Sequence, residues 1–226
     1  MGKTNLHDVS ASAPLSRQMR ESSQQQHEQA ESSPFVAQLM RGTLSLADYT
    51  TYLVQLAWLY DALERQVAHG DALPGSAPLW DSRLNRVDAI SADLAHLGIT
   101  DWKHTTAPSS SMAAYIAHLD GLAGRADVRL VAHHYTRYLG DLSGGQAIAA
   151  LVARHYGATP DQLSFYRFDN IDDIVRYKEA YRGHLDGLEL TPGERETLIT
   201  EVQLAFTMNQ RVFDELAVVP APSLVE

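Results

Sequence analysis

With 226 residues, 45% of them apolar and 20% charged, the chain is long enough for one substantial core and short for two, and its composition is far from that of a disordered protein. Its formal net charge of −10, from 28 acidic against 18 basic side chains, excludes the concentrated basic surface that nucleic acid requires, so any anion site is local. Cysteine is absent, which removes disulfide frameworks, thiolate metal sites, iron–sulfur clusters and cysteine nucleophiles. One domain over residues 1–226 with flexible ends is expected. After Lys3 the start MGKTNLHDVS has no apolar stretch, and Leu6 stands where a myristoylation motif wants Ser or Thr. No run approaches the roughly 18 apolar residues of a membrane span, and the tail AVVPAPSLVE is broken by prolines. The expected location is the cytoplasm, without a membrane anchor.

Helix signals dominate in chain order. A first helix is read over 15–31, in SRQMRESSQQQHEQAE, with few large apolar residues after Leu15 and Met19. In SSPFVAQLMRG, Ser33 is an N-cap, Pro34 suits the first turn and Gly42 suits a left-handed end. The capping box Ser45-x-x-Asp48 opens a long helix to Gly70, with Leu46, Tyr49, Leu53, Leu56, Tyr60, Leu63 and Val67 at three- and four-residue steps. A helix over 81–97 carries Leu84, Val87, Leu94 and Leu97 and ends at Gly98. The segment GITDWKHTTAPSS then reads as a loop.

Helices resume over 111–123 and 127–156. Two further capping boxes, Thr159-Pro-Asp-Gln162 and Thr191-Pro-Gly-Glu194, predict helix starts, and another helix spans 172–188. Strand pairs, hairpin signals and internal repeats are not evident in the pattern. The fold class is all-α, a single-domain irregular bundle of about eight helices.

Three features exceed what packing requires. The first helix has too little apolar face to dock by ordinary burial, and small residues beside His27 suit a flat ligand. An imidazole there is a candidate iron ligand, with Glu31 placed to bond its other ring nitrogen, although a lone histidine is more commonly a surface or satisfied core residue. Arg20 lies seven residues earlier on nearly the same face, about 10 Å along the axis. Its guanidinium suits a carboxylate, and equally suits open solvent. Finally, YLGDLSGGQAIAALVARHYG places Gly140, Gly144 and Gly145 inside a helical apolar pattern, each costing about 1 kcal/mol against alanine. Either a close helix crossing or a bare backbone against a ligand accounts for them. Asp141 among them favours function, because a buried carboxylate must be bonded into a network.

The run VAHHYTRYLGDLSGGQ, 131–146, closely resembles the signature of the heme oxygenase family. HEQAESSPF, QLAWLYDALE, RHYG, YRGHLDGLEL and AFTMNQRVFDEL resemble family segments in the same order, so the likeness covers about residues 15–216. The resemblance implies heme held between a proximal helix and a glycine-kinked distal helix. By position it makes His27 the iron ligand with Glu31 its partner, and Arg20, Tyr135 and Arg182 the propionate contacts. Gly140 and Gly144 match the distal glycines, Asp141 the carboxylate that orders distal water, helped by Arg137, and Phe206 and Asn209 lie near the pocket. Cofactors implied are heme b, as both substrate and cofactor, O2 and an external reductant. The donor would be a ferredoxin, flavodoxin or reductase, and the products biliverdin of the α isomer, carbon monoxide and iron.

The family often carries lysine where Arg20 stands, and a further lysine where this chain has Gln24. The membrane tail of animal relatives has no counterpart, so the likeness is to the soluble bacterial type. Rivals are a heme carrier of the same fold, which needs His27 but not Asp141, and a thiamine-salvage hydrolase, which would want a cysteine. A ferritin-like di-iron protein would need Glu-x-x-His pairs that the sequence lacks.

Overall fold

The computed structural model describes residues 13–69, 73–122 and 127–218, and all regular structure among them is helical. Gly70, Ala123 and both chain termini lie outside these residues. Eleven α-helical pieces are present among the described residues, more than the about eight expected, because two expected helices are divided and a short one forms in an expected loop.

The first is split into α1 (Leu15–Ser22) and α2 (Gln24–Glu31) at Ser23, with φ −102° and ψ 4°. Both serine hydroxyls bond back to the Met19 carbonyl, and the Ser22 carbonyl is taken by Gln203 from the last helix at 2.8 Å. Side-chain competition for backbone groups bends helices in this way. In α3 (Pro34–Arg41) the Ser33 cap and the left-handed Gly42, φ 73°, stand as the sequence predicts. The capping box of Ser45 and Asp48 opens α4 (Leu46–His69). Its periodic residues Tyr49, Leu53, Leu56, Tyr60 and Leu63 are buried, and so are Ala57, Leu59 and Ala62 between them.

Residues 81–97 do not form one helix. A 3-10 turn, Ser82–Leu84, precedes α5 (Val87–His96). The interruption is made by tertiary bonds: Glu64 of α4 accepts the amides of Arg86 and Val87, while the Arg86 guanidinium reaches the carbonyls of Leu84 and Arg167. Within the expected loop, α6 (Trp102–Thr105) forms because Trp102 is drawn into the core, edge-on to Trp58 at 5.0 Å. Then come α7 (Ser110–Asp120), α8 (Val128–His134), a π-helical turn (Tyr135–Leu139) and α9 (Gly140–Tyr156). Thr159 and Gln162 make their capping box, but it opens only a 3-10 turn, because Asp93 of α5 takes the amides of Ser164 and Phe165 and pulls the chain away. The remaining helices are α10 (Ile174–Asp186) and α11 (Pro192–Val218).

Helices α4 and α11 organise the core. The first packs on α5, α7 and α8, and the second on α1, α2, α3, α7 and α8. Ser16 ties α1 to α10 through the Asp186 carboxylate. Among the described residues, no helix is long and apolar enough to cross a membrane.

His134, at the end of α8, is buried against Trp80 and Tyr181, with Nδ1 2.7 Å from the Tyr181 hydroxyl. Burial pushes its pKa down to about 3, against a slight opposing pull from Asp81. The folded state therefore excludes a proton that the unfolded chain binds below about 6.5. This contribution to stability is complete above that pH and is lost as pH falls toward 3, at about 1.4 kcal/mol per pH unit. His134→Gln should narrow its stability gap from wild type between pH 7.5 and 5.5 in urea unfolding. A gap independent of pH would show that His134 titrates normally.

Candidate active site

An open cleft of about 860 Å³ runs between α1 and α2 on one side and the π turn and the start of α9 on the other. Its size falls in the range of about 300–1,000 Å³ usual for small-molecule and cofactor sites. His27, Glu31 and Arg20 line the first wall, Tyr135, Leu139, Gly140 and Ser143 the second, with Arg182 of α10 and Phe206 of α11 completing it.

The break at Ser23 starts α2 afresh and directs His27 into the cleft. Its side chain is 48% exposed, so it is open to a ligand. Phe206 meets the ring edge-on at 5.3 Å, and Glu31 lies 3.5 Å from Nδ1, an ion-pair distance longer than a good hydrogen bond. Nε2 has no protein partner among the described residues. Arg17 is committed to Glu21 at 2.8 Å, whereas Arg20 and Arg182 have no ion pair among the described residues. Both lie near the Tyr135 hydroxyl; burial raises its pKa and the two cations oppose that rise.

The glycines divide by role. A Cβ at Gly145 would lie 3.3 Å from the Tyr166 ring, so this glycine permits close packing. At Gly140 and Gly144 an added Cβ meets nothing within 4 Å, which rules out a helix crossing there and leaves backbone facing space. The kink expected at the glycines is not there: α9 runs unbroken from Gly140 through Gly144 and Gly145, and the irregular turn is the π-helical one just before them, over Tyr135–Leu139. Such turns recur at functional sites.

Asp141, Arg137, Asn209 and Gly144 do not line the cleft; the first three form a network behind its second wall. Asp141 accepts one bond from the Tyr60 hydroxyl and one of 3.4 Å from Arg137. Arg137 also reaches the Tyr60 oxygen and the Asn209 carbonyl oxygen, each at 3.2 Å. Burial raises the Asp141 pKa against the pull of Arg137 and Tyr60. The sequence reading missed Tyr60 as a member of this network, taking it for core. The available signal was its hydroxyl, which needs a partner when buried.

An imidazole on one wall, bare backbone on the other and two uncommitted guanidinium groups define a helical protein fitted to a flat, anionic, metal-bearing ligand. The heme oxygenase family model matches residues 13–215, and the chain belongs to that family, whose enzymes degrade heme. It is 30% identical over 203 residues to the heme oxygenase of Porphyra purpurea, covering 89% of this chain and 86% of that protein. Heme oxygenase 1 of Pongo abelii is 32% identical over 205 residues, covering 89% and 71%. Heme oxygenase-1 of the cyanobacterium Synechocystis, solved in complex with heme, superposes with a TM-score of 0.85 at 31% identity, covering 90% of this chain and 92% of that one.

Proposed function

We propose that this chain opens heme b to the α isomer of biliverdin, carbon monoxide and iron, in the cytoplasm, using O2 and electrons from an external ferredoxin, flavodoxin or reductase. The observation that carries this reading is the buried Asp141 network placed behind the bare backbone of the second wall. Mere carriage of heme would have no use for it. When bound, heme supplies the iron at which O2 is reduced.

The protein's part is to hold, orient and deliver protons. His27 offers Nε2 to the iron, with Phe206 restraining the ring and Glu31 drawing Nδ1 to fix the tautomer. Arg20 and Arg182, beside Tyr135, bind the propionates and so fix the rotation of the ring, which selects the carbon attacked. Gly140, on the cleft wall, lets the macrocycle approach the helix without contributing a side chain of its own, and Gly144 one turn on leaves the backbone beside it equally bare. Each Asp141 oxygen accepts one bond from the protein, which leaves each a lone pair that could hold a water behind the second wall. A water held there would carry protons to the bound substrate, in place of a side-chain acid.

Purified protein incubated with hemin and a reducing system should lose its Soret band as biliverdin absorption grows. A stable reduced heme complex under oxygen would establish a carrier instead. Arg20, Arg176, Lys178 and Arg182, with Arg17 partly neutralised by Glu21, offer a basic patch to an acidic electron donor, so in the same assay donor-dependent turnover should fall as salt rises. A flat response removes that docking mode and leaves the heme chemistry untouched.

A further inference from the structure

Outside the cleft, three helices bring together two imidazoles and a carboxylate. His118 of α7 and His133 of α8 both direct Nε2 at the same oxygen, Oε1 of Glu201 on α11, with the His133 contact at 2.9 Å. The three candidate ligand atoms all lie within 4.8 Å of one another. His133 is fully buried, Glu201 nearly so, and His118 is 23% exposed at the side chain. None of the three lines the cleft.

Two further observations bear on what the cluster holds. First, the Tyr115 hydroxyl lies 2.9 Å from His133 Nδ1, which fixes that ring with Nε2 facing inward. Metal-binding histidines are oriented by such outer partners. Second, as a plain hydrogen-bond cluster, the arrangement requires two Nε2 protons to converge on one carboxylate oxygen. One cation between the three atoms replaces both protons and satisfies all three groups together.

We propose that His118, His133 and Glu201 form a binding site for one divalent first-row transition-metal ion, with a water as fourth ligand on the His118 side. Two imidazoles and a carboxylate without sulfur suit zinc, cobalt or ferrous iron better than calcium or magnesium. Ligand atoms bonded at about 2.0–2.2 Å to a tetrahedral ion lie roughly 3.3 Å apart. Seating an ion therefore asks His133 to withdraw by a few tenths of an ångström from its 2.9 Å contact and the partly exposed His118 to withdraw further.

The test uses chelator-stripped, full-length protein titrated calorimetrically with zinc chloride, and with cobalt(II) followed by its visible absorption. One ion per chain is expected, with the cobalt bands of a low-symmetry nitrogen and oxygen site. His118→Asn, a partly exposed change whose folding circular dichroism checks, should weaken zinc by more than the roughly 10–100-fold that loss of an outer partner costs. His27→Ala should leave the affinity unchanged. The proposal is overturned if stoichiometric binding is absent, if it survives His118→Asn, or if it is lost in His27→Ala, which would place the ion in the cleft.

Discussion

His27→Ala is expected to abolish heme turnover while leaving the fold intact. The side chain is half exposed in the cleft, and its protein contacts are the edge of Phe206 and a 3.5 Å approach to Glu31. Losing these should change stability by no more than about 0.5 kcal/mol, as for most surface substitutions. The iron, by contrast, loses its only protein ligand in the proposed geometry. Heme should then be held through Arg20, Arg182 and packing alone, loosely and without a defined axial bond. Exogenous imidazole should occupy the space left by the ring and restore turnover. Ligand-field spectra of the heme complex provide the check: spectra identical to wild type would assign the iron to another residue.

Asp141→Ala should separate binding from catalysis. Asp141 touches neither His27 nor the proposed propionate clamps, so heme should still bind. Biliverdin formation should fall by roughly 10²–10⁴, the usual contribution of a positioned proton donor or acceptor. With hydrogen peroxide the variant should instead oxidise an added phenol, as a peroxidase does. The change also leaves the buried Arg137 without its anion, and breaking a buried pair costs about 3–5 kcal/mol. Tyr60 and Asn209 still hold the guanidinium, which places the loss toward the lower end. Asp141→Asn, which preserves the shape, should show the same loss of biliverdin with less destabilisation. Wild-type rates in both variants would make Asp141 a structural cap of α9 and refute the proposed proton delivery.

What was legible in the sequence was local. Ser33, the box of Ser45 and Asp48, and the box of Thr191 and Glu194 act within a few residues, and each starts a helix as read. The segments that resemble the family pointed to His27 and Gly140, which the fold brings to opposite walls of one cleft, and to Asp141, which lies behind the second wall. Misreadings arose where distant groups compete for the backbone. Gln203 at the Ser22 carbonyl, Glu64 at the amide of Val87 and Asp93 at the amide of Ser164 each redirect a chain whose own pattern says helix. Those partners lie 181, 23 and 71 residues away, respectively, beyond any periodicity. The same holds for the Arg137 network, whose Tyr60 and Asn209 come from helices 77 and 72 residues off.

The π turn over Tyr135–Leu139 acts as a phase shift along a rod that otherwise runs from Val128 to Tyr156. An α-helix advances roughly 100° per residue, so one surplus residue rotates everything beyond it by about that angle relative to everything before. The segment ahead of the turn is set to bury His133 and His134, and the segment after it to show Gly140 and Gly144 to open space while Asp141 faces inward. A helix of uniform pitch has a single angular origin, and satisfying one half would misdirect the other. The extra residue gives the two halves independent origins, allowing core packing and the cleft wall to be tuned separately on a single continuous element.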